Sequence, residues 1–317
     1  MLEEQAWEAE QGFLAESLGA FCRDRAADFQ EVAFSRESWR GLAALGVFEA
    51  AVPGAEVGAA ELVTLVEVLG DAVFPGPLCE TILACGVLPE PERQPILCGE
   101  RIVCVARDGW MPFAPLADVF LERGEDSEGR SACWRATPRA GWQEVETLGG
   151  EPWGHGVLDR GEALAGAPRA ALLSDLARSG YWAAAGRRLL VEACEHARTR
   201  KQFGHTIGDF QAVAHPLAEL HMRLVAARGL VRRGALAIDA GAADAAVRLG
   251  AAQLSAAAAG LLAVQTCHQV FGAVGITLEG PAFRVSRRIR HSVTAAADLQ
   301  SARDSQLRQW GLEGDGR

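Results

Sequence analysis

The chain has 317 residues, 49% of them apolar, with 31 Lys+Arg against 41 Asp+Glu for a net charge of −10. That length allows two or three domains or one large composite one, and the alanine-rich composition favours a soluble helical protein with a well-filled core. The acidic balance, without a basic stripe interleaved with aromatics, speaks against a nucleic-acid binder. The eight cysteines are scattered without CxxC spacing and read as small buried hydrophobes of a reducing cytoplasm. The acidic start Met1-Leu2-Glu3-Glu4 lacks a signal-peptide core, and no apolar run is read as crossing a membrane.

In chain order, residues from about 2 to 28 carry Trp7, Phe13, Leu14, Leu18 and Phe21 at helical spacing. Trp39, Leu42, Leu45 and Phe48 repeat the pattern up to Pro53-Gly54, with Trp39 and Leu42 read as core residues. A further helix over 62–70 ends at Gly70 and is broken by Pro75-Gly76-Pro77. From 98 to 166 the long helical periods vanish. Short β-rich runs at 102–105, 119–121, 133–135 and 145–148 predict a small, mostly antiparallel β-domain.

After Pro168 four segments of about 30 residues each, 170–200, 209–240, 243–272 and 281–310, predict a four-helix bundle. Leu217, Leu220, Leu224 and Val231 form one apolar seam, and Leu254, Leu261 and Val264 help form another. The tail from Gly311 is expected to fray. The expected division is thus a helical domain over 1–97, a β-domain over 98–166 and a helical bundle over 167–317.

Between the first two long helices lies Arg200-Lys201-Gln202-Phe203-Gly204, followed by Ile207, Phe210-Gln211 and His215. One reading is a helix, a Gly-containing turn and a second helix, with the Arg suiting a helix C-terminus. The other is that the Arg, the Gln and the exposed turn amides grip an anion such as a pyrophosphate. His215 is expected at a helix interface. The seven histidines show no metal-ligand spacing. Arg284, Arg287, Arg288, Arg290 and His291 suit either the phosphates of a ligand or a solvated or subunit-facing patch. Gly-x-Ser-x-Gly and GxGxxG are absent, so neither a serine hydrolase nor a Rossmann site is supported.

The run Arg-x-Gln-Phe-Gly-x-x-Ile-x-x-Phe-Gln-x-x-x-His resembles the hallmark of the flavin-dependent acyl-CoA dehydrogenase family. Gln269, Gly272, Gly275, Glu279, Pro281 and Arg287 resemble a second family segment, with Ala273 in place of a Gly. Trp39 to Gly46 with Val52-Pro53 is similar to the family's N-terminal helical domain. The resemblance implies a mainly α fold: an N-terminal helical domain, a middle β-domain that is reduced here, and a C-terminal four-helix bundle. It implies FAD as cofactor and α,β-dehydrogenation of an acyl-CoA thioester. Arg200, Gln202, Phe203 and Gln211 would face a flavin held mainly by a neighbouring subunit, with Gln269, Gly272 and Ala273 lining the same dinucleotide. Of the family's Thr-x-Gln or Thr-x-Glu contact only Gln300 remains.

Two parts of the family pattern are missing. The Thr-Glu-Pro-type segment that cradles the flavin ring has no match around residues 107–115. Counting from Gly272 and Pro281 puts the family's usual catalytic Glu at Ala296. A smaller branch carries its base on the first long helix, where Ser174 and Asp175 fall. Asp175 is one residue out of register, about 100° around the helix, and otherwise reads as a solvated helix residue. Chains of this pattern resemble the base-less partner subunit of heteromeric acyl-CoA dehydrogenases, some acting on bulky acyl-CoAs such as steroid side chains. The implied partner is a longer acyl-CoA dehydrogenase subunit, otherwise a second copy in a homodimer or homotetramer, in the cytoplasm. The fold reused for non-redox biosynthetic chemistry and a purely structural subunit stand as alternatives.

Overall fold

The structure, a computed structural model, describes residues 15–26, 34–278, 280, 282–296 and 298–311. It divides into two compact units: the described residues of Met1–Leu65 and Phe74–Arg178 form the first, those of Val66–Val73 and Ser179–Arg317 the second.

The first unit opens with helix α1, helical over residues 15–24, and α2, Arg36–Ala44. Ser35 caps α2 by accepting the Ser38 amide at 3.2 Å, which satisfies one of the donors a helix start leaves open. Trp39 is fully buried, its ring 4.9 Å from that of Phe48, as its spacing predicts. Helix α3, Ala59–Asp71, contributes its first half to this unit. Two short helices follow, α4 at Leu78–Val87 and α5 at Glu90–Leu97. The sequence hides both. Eight residues of α4 are buried, so no polar face marks a helical period, and α5 carries Pro95 inside it.

Among the described residues seven strands complete this unit: β1 Val103–Ala106, β2 Trp110–Pro112, β3 Val119–Glu125, β4 Ser131–Pro138, β5 Gln143–Glu146, β6 Pro152–His155 and β7 Leu158–Ala163. They form a four-stranded sheet, β1-β3-β4-β7, and a three-stranded one, β2-β6-β5. Among the described residues only the β1–β3 pairing is parallel, with Val103 opposite Val119. The predicted runs fall in β1, β3, β4 and β5. β2, β6 and β7 carry no apolar alternation, β7 being nearly all exposed. Asp108-Gly109, both at positive φ (50° and 80°), form the two-residue turn between Arg107 and Trp110.

The second unit takes the rest of the long helix α6 (Ala167–Thr199), then α7 (Gln211–Asp239), α8 (Ala245–Phe271), α9 (Ala282–Thr294) and α10 (Asp298–Gln309). The fourth expected helix is therefore two, parted after Thr294 at a site where neither Gly nor Pro announces a break. The α7 seam is buried as expected, whereas α8 packs through small residues such as Ala252, Ala256 and Ala263, leaving Leu254 and Leu261 half-buried. The last turn of α3 belongs here too. A Cβ on Gly70 would lie 2.6 Å from the Tyr181 carbonyl, so α3 and α6 approach backbone to backbone. Glu67 of α3 accepts from both Arg228 and Arg232 of α7, each at 2.9 Å. Ala245–Ile276 is long and apolar enough to cross a membrane by length and composition; the sequence reading, which looks for 18 consecutive apolar residues without a charge, passes over it. Of its most apolar window 56% is buried within the fold.

Candidate functional site

The 200–211 segment is not a simple turn. Lys201–Gln202 (β8) and His205–Thr206 (β9) pair antiparallel into a hairpin whose two-residue loop is Phe203-Gly204. Both loop residues have positive φ, 53° and 83°. Such turns favour Asn-Gly or Asp-Gly, because a bulky residue at φ > 0 is strained. The chain obeys that rule at Asp108-Gly109 and breaks it here. The Phe203 ring is 90% exposed, so core packing does not account for the choice. Strain combined with exposure marks a residue kept for something outside its own fold.

The rest of the segment presents donors. Arg200 ends α6, with its N–H donating to His196 O at 2.9 Å and its carbonyl accepting from Ile207 N at 2.8 Å. Its guanidinium is exposed and pairs with no other described residue. Thr206 and Asp209 form a reciprocal capping box around the short turn Ile207–Asp209, which feeds α7. Helix α7 then starts at Phe210 without a side-chain cap, leaving first-turn amides open beside Gln211. Gln202 folds its amide onto the Lys201 carbonyl at 2.7 Å.

Helix α8 ends at the same place. The His196 ring, one turn before Arg200, lies 5.3 Å from the Phe271 ring, so the C-terminal ends of α6 and α8 adjoin. Gln269 is exposed, Gly272 (φ 59°) terminates α8 with open space where a Cβ would stand, and Ala273 follows in the turn Gly272–Ile276. His268, one turn before Gly272, is held below the usual imidazole range by burial and then by Arg290. Val274, Ile276 (72% exposed) and Leu278 (73%) stand out into solvent nearby. Arg200, Gln202, Phe203, Gln211, Gln269, Gly272 and Ala273 thus share one end of the bundle. It combines an unpaired cation and open helix amides with a rim of exposed apolar side chains. That donor set suits an anionic diphosphate.

Gln300 lies apart. It sits on α10, donating to Asp304 at 2.9 Å, two residues before Ala302, which packs on Gly250 near the start of α8. Nineteen residues of helix, about 28 Å, separate Gly250 from Gln269. His215 is exposed on the protruding first turns of α7, not packed at an interface as expected. The basic residues of α9 diverge: Arg288 is buried and donates to the Val73 carbonyl, Arg287 stacks 4.9 Å over Phe283, and Arg290 is exposed. Glu279 and Pro281 lie outside the described residues, while Ala296, in the link between α9 and α10, has only a methyl group to offer.

Asp175 corrects the expectation of a solvated side chain. It is buried, and the two Arg123 Nη atoms meet its two carboxylate oxygens at 2.7 Å each. Arg178 stands 3.9 Å away. Burial alone would raise its pKa, but Arg123 first, then Arg178 and Arg107, hold it below the usual carboxylate value. Ser174 is buried with its hydroxyl donating to Cys79 O at 2.9 Å.

The family model of the acyl-CoA dehydrogenase C-terminal domain matches residues 175–296. Acyl-CoA dehydrogenase FadE27 of Mycobacterium tuberculosis is 29% identical over 313 residues, spanning 82% of this chain and 84% of the relative. Residues 175–296 thus match the family's C-terminal domain, and the chain is similar to acyl-CoA dehydrogenases over most of its length. FadE34 of the same organism is 31% identical over 308 residues, 85% of this chain and 42% of that one. Among solved structures, the ChsE4–ChsE5 complex of M. tuberculosis contains a chain that superposes with a TM-score of 0.75 at 24% identity, covering 96% of each. The family fold is therefore present across the described residues, reduced β-domain included. Sequence reasoning missed Arg123, 52 residues from Asp175, because no local pattern links an isolated strand Arg to a helix Asp.

Proposed function

We propose that this chain is an FAD-dependent acyl-CoA dehydrogenase subunit that completes a flavin site shared with a longer family member, as the relatives' membership of heteromeric complexes suggests. The observation that carries this reading is the bundle end itself. Arg200 and the open α7 amides offer a diphosphate its charge and hydrogen bonds, and Gln211 and Gln269 offer amides to the rest of a dinucleotide. The surrounding exposed Phe203, Phe210, Val274, Ile276 and Leu278 exceed what a nucleotide needs and suit a protein surface packed over it. FAD, when bound, supplies the hydride acceptor for α,β-dehydrogenation of an acyl-CoA thioester. The chain's own part is to hold and orient the dinucleotide and to keep water from one side of it. Gln300, at the other end of α8, belongs on this reading to a different contact. The family's cytoplasmic setting is retained as part of the proposal.

The test is to purify the chain alone and with a longer homologue bearing the catalytic Glu, then record visible flavin absorption after desalting. Flavin kept by the complex and lost by the lone chain supports the shared site. Arg200→Ala should then lower the flavin content of the complex without altering its assembly. Equal retention by the lone chain, or unchanged content in the Arg200→Ala complex, would refute the proposal.

A further inference from the structure

Helix α7 carries a second apolar stripe, on the side turned from the core. Leu217, Leu220, Leu224 and Val231 face inward, while Ala218, Met222, Val225, Ala226, Gly229 and Leu236 fall within an arc of about 100° on the exposed face. Met222, Val225 and Leu236 are 64%, 51% and 54% exposed. A surface helix ordinarily sets charged and polar residues on that face. In the stretch 218–236 the exposed charges are Glu219, Arg223 and Arg233, towards the two ends of the stripe.

Gly229 is an independent sign. Glycine is the poorest helix former after proline, so a helix-interior glycine needs a reason. Gly70, Gly180, Gly186 and Gly260 have one: an added Cβ would lie 3.3 Å or less from an atom of a neighbouring helix. At Gly229, exposed midway along α7, nothing stands within 4 Å. The chain's own packing gives this glycine no purpose, and its missing side chain leaves a dent in the stripe. The stripe also complements itself. Laid antiparallel about a two-fold axis between Val225 and Ala226, it sets Met222 over the partner's Gly229 and Glu219 beside the partner's Arg233, each contact occurring twice. Glu219 accepts from Arg223 at 2.8 Å within its own helix, and the second copy adds a further cation. The strip from Ala218 to Leu236, about 28 Å long and one helix wide, offers about 300 Å² per copy. Helix α8 turns back beside α7 and leaves Leu254, Ala258, Leu261 and Leu262 half-buried or exposed. With that second strip the total nears 1,200 Å² for the pair, roughly the lower end of specific interfaces.

We propose that the outer face of α7 is a self-association surface, on which a second copy of this chain packs antiparallel with Met222 of each copy seated on the partner's Gly229. This face is distinct from the bundle end, and the pairing does not depend on flavin or on the function proposed above.

Sedimentation equilibrium of the full chain over a dilution series should show a monomer–dimer equilibrium. Gly229→Leu fills the dent at a position where the added Cβ meets no atom of its own chain, so helical circular dichroism should be kept while the dimer weakens by about a hundredfold. Glu219→Arg alone and Arg233→Glu alone should each weaken the dimer by about tenfold, because each sets like charges side by side twice. The combined swap should restore wild-type dimerisation, since opposite charges then meet again. That rescue separates a second copy from any other occupant: on a face covered by the longer subunit or an unrelated protein, the two charge changes would add instead of cancelling. A wild-type chain that stays monomeric, a Gly229→Leu chain that dimerises like wild type, or a combined swap weaker than either single change would overturn the proposal.

Discussion

Replacing Phe203 by Asn should make the isolated chain more stable and the complex worse at holding flavin. The hairpin places Phe203 at φ 53°, a conformation that costs an ordinary L-residue about 1–2 kcal/mol and Asn much less. Against that gain stands what the ring buries. At 90% exposed it removes only about 20 Å² from water, or about 0.5 kcal/mol, including its edge-on approach to Phe210 with ring centres 6.4 Å apart. The balance favours Asn by about 0.5–1 kcal/mol, about 1–3 °C in melting temperature for a unit of this size. Urea and thermal unfolding followed by far-UV circular dichroism measure it on the chain alone. Flavin content after desalting measures the other side on the complex, where loss is expected. A less stable isolated variant would show that the ring holds the hairpin together. Undiminished flavin retention would remove the reason for the strain. Either result breaks the argument that this residue is kept for a contact outside the chain.

Gly204→Ala works in the opposite sense: φ is 83° and a Cβ there meets nothing within 4 Å, so the penalty is purely backbone, about 1 kcal/mol of lost stability by urea titration. Gly70→Ala would push a methyl to 2.6 Å from the Tyr181 carbonyl, and a loss of about 1–3 kcal/mol is expected from the forced separation of α3 and α6. His291 sets an acid limb. Burial, then Arg288, pushes its imidazole from 6.5 down to about 4, so the folded state favours the neutral ring. The stability this represents is present above pH 6.5 and drains as pH falls from 6.5 through 4. His291→Gln should flatten urea midpoints compared at about pH 7.5 and about pH 5. Glu80, raised by burial, acts with the opposite sign in the same direction of titration, so the difference between variant and wild type, not the wild-type slope, is the readout. An equal decline in both proteins would discount His291.

The long helices were legible because their apolar residues repeat with the helical period. The α7 seam of Leu217, Leu220, Leu224 and Val231 is buried as read. What escaped had no period to show. Helix α4 is buried nearly all round, β7 is almost wholly solvated, and the break after Thr294 carries no Gly or Pro. The site divides the same way. Residues drawn together by one bundle end, Arg200, Gln211 and Gln269 to Ala273, were legible as two sequence motifs, yet their common location follows only from α6 and α8 finishing side by side.

The two hairpin turns sharpen the point. Asp108-Gly109 is a turn that sequence chemistry announces, and the structure forms it where that chemistry is satisfied. Phe203-Gly204 is a turn that sequence chemistry argues against, and the structure forms it nonetheless. Local propensity alone would read the first as structure and miss the hairpin in the second. The disagreement between residue and conformation is itself informative, because selection for folding alone would place Asn or Asp there. Asp175 gives the converse case. Its position suggested chemistry, but its chemistry is consumed by Arg123, an isolated strand residue 52 positions away. A residue's task in this chain is therefore set by whether its polar atoms or its ring already have partners inside the fold. On that criterion Arg200, whose guanidinium pairs with no other described residue, is open to outward-facing work, and Asp175 is not.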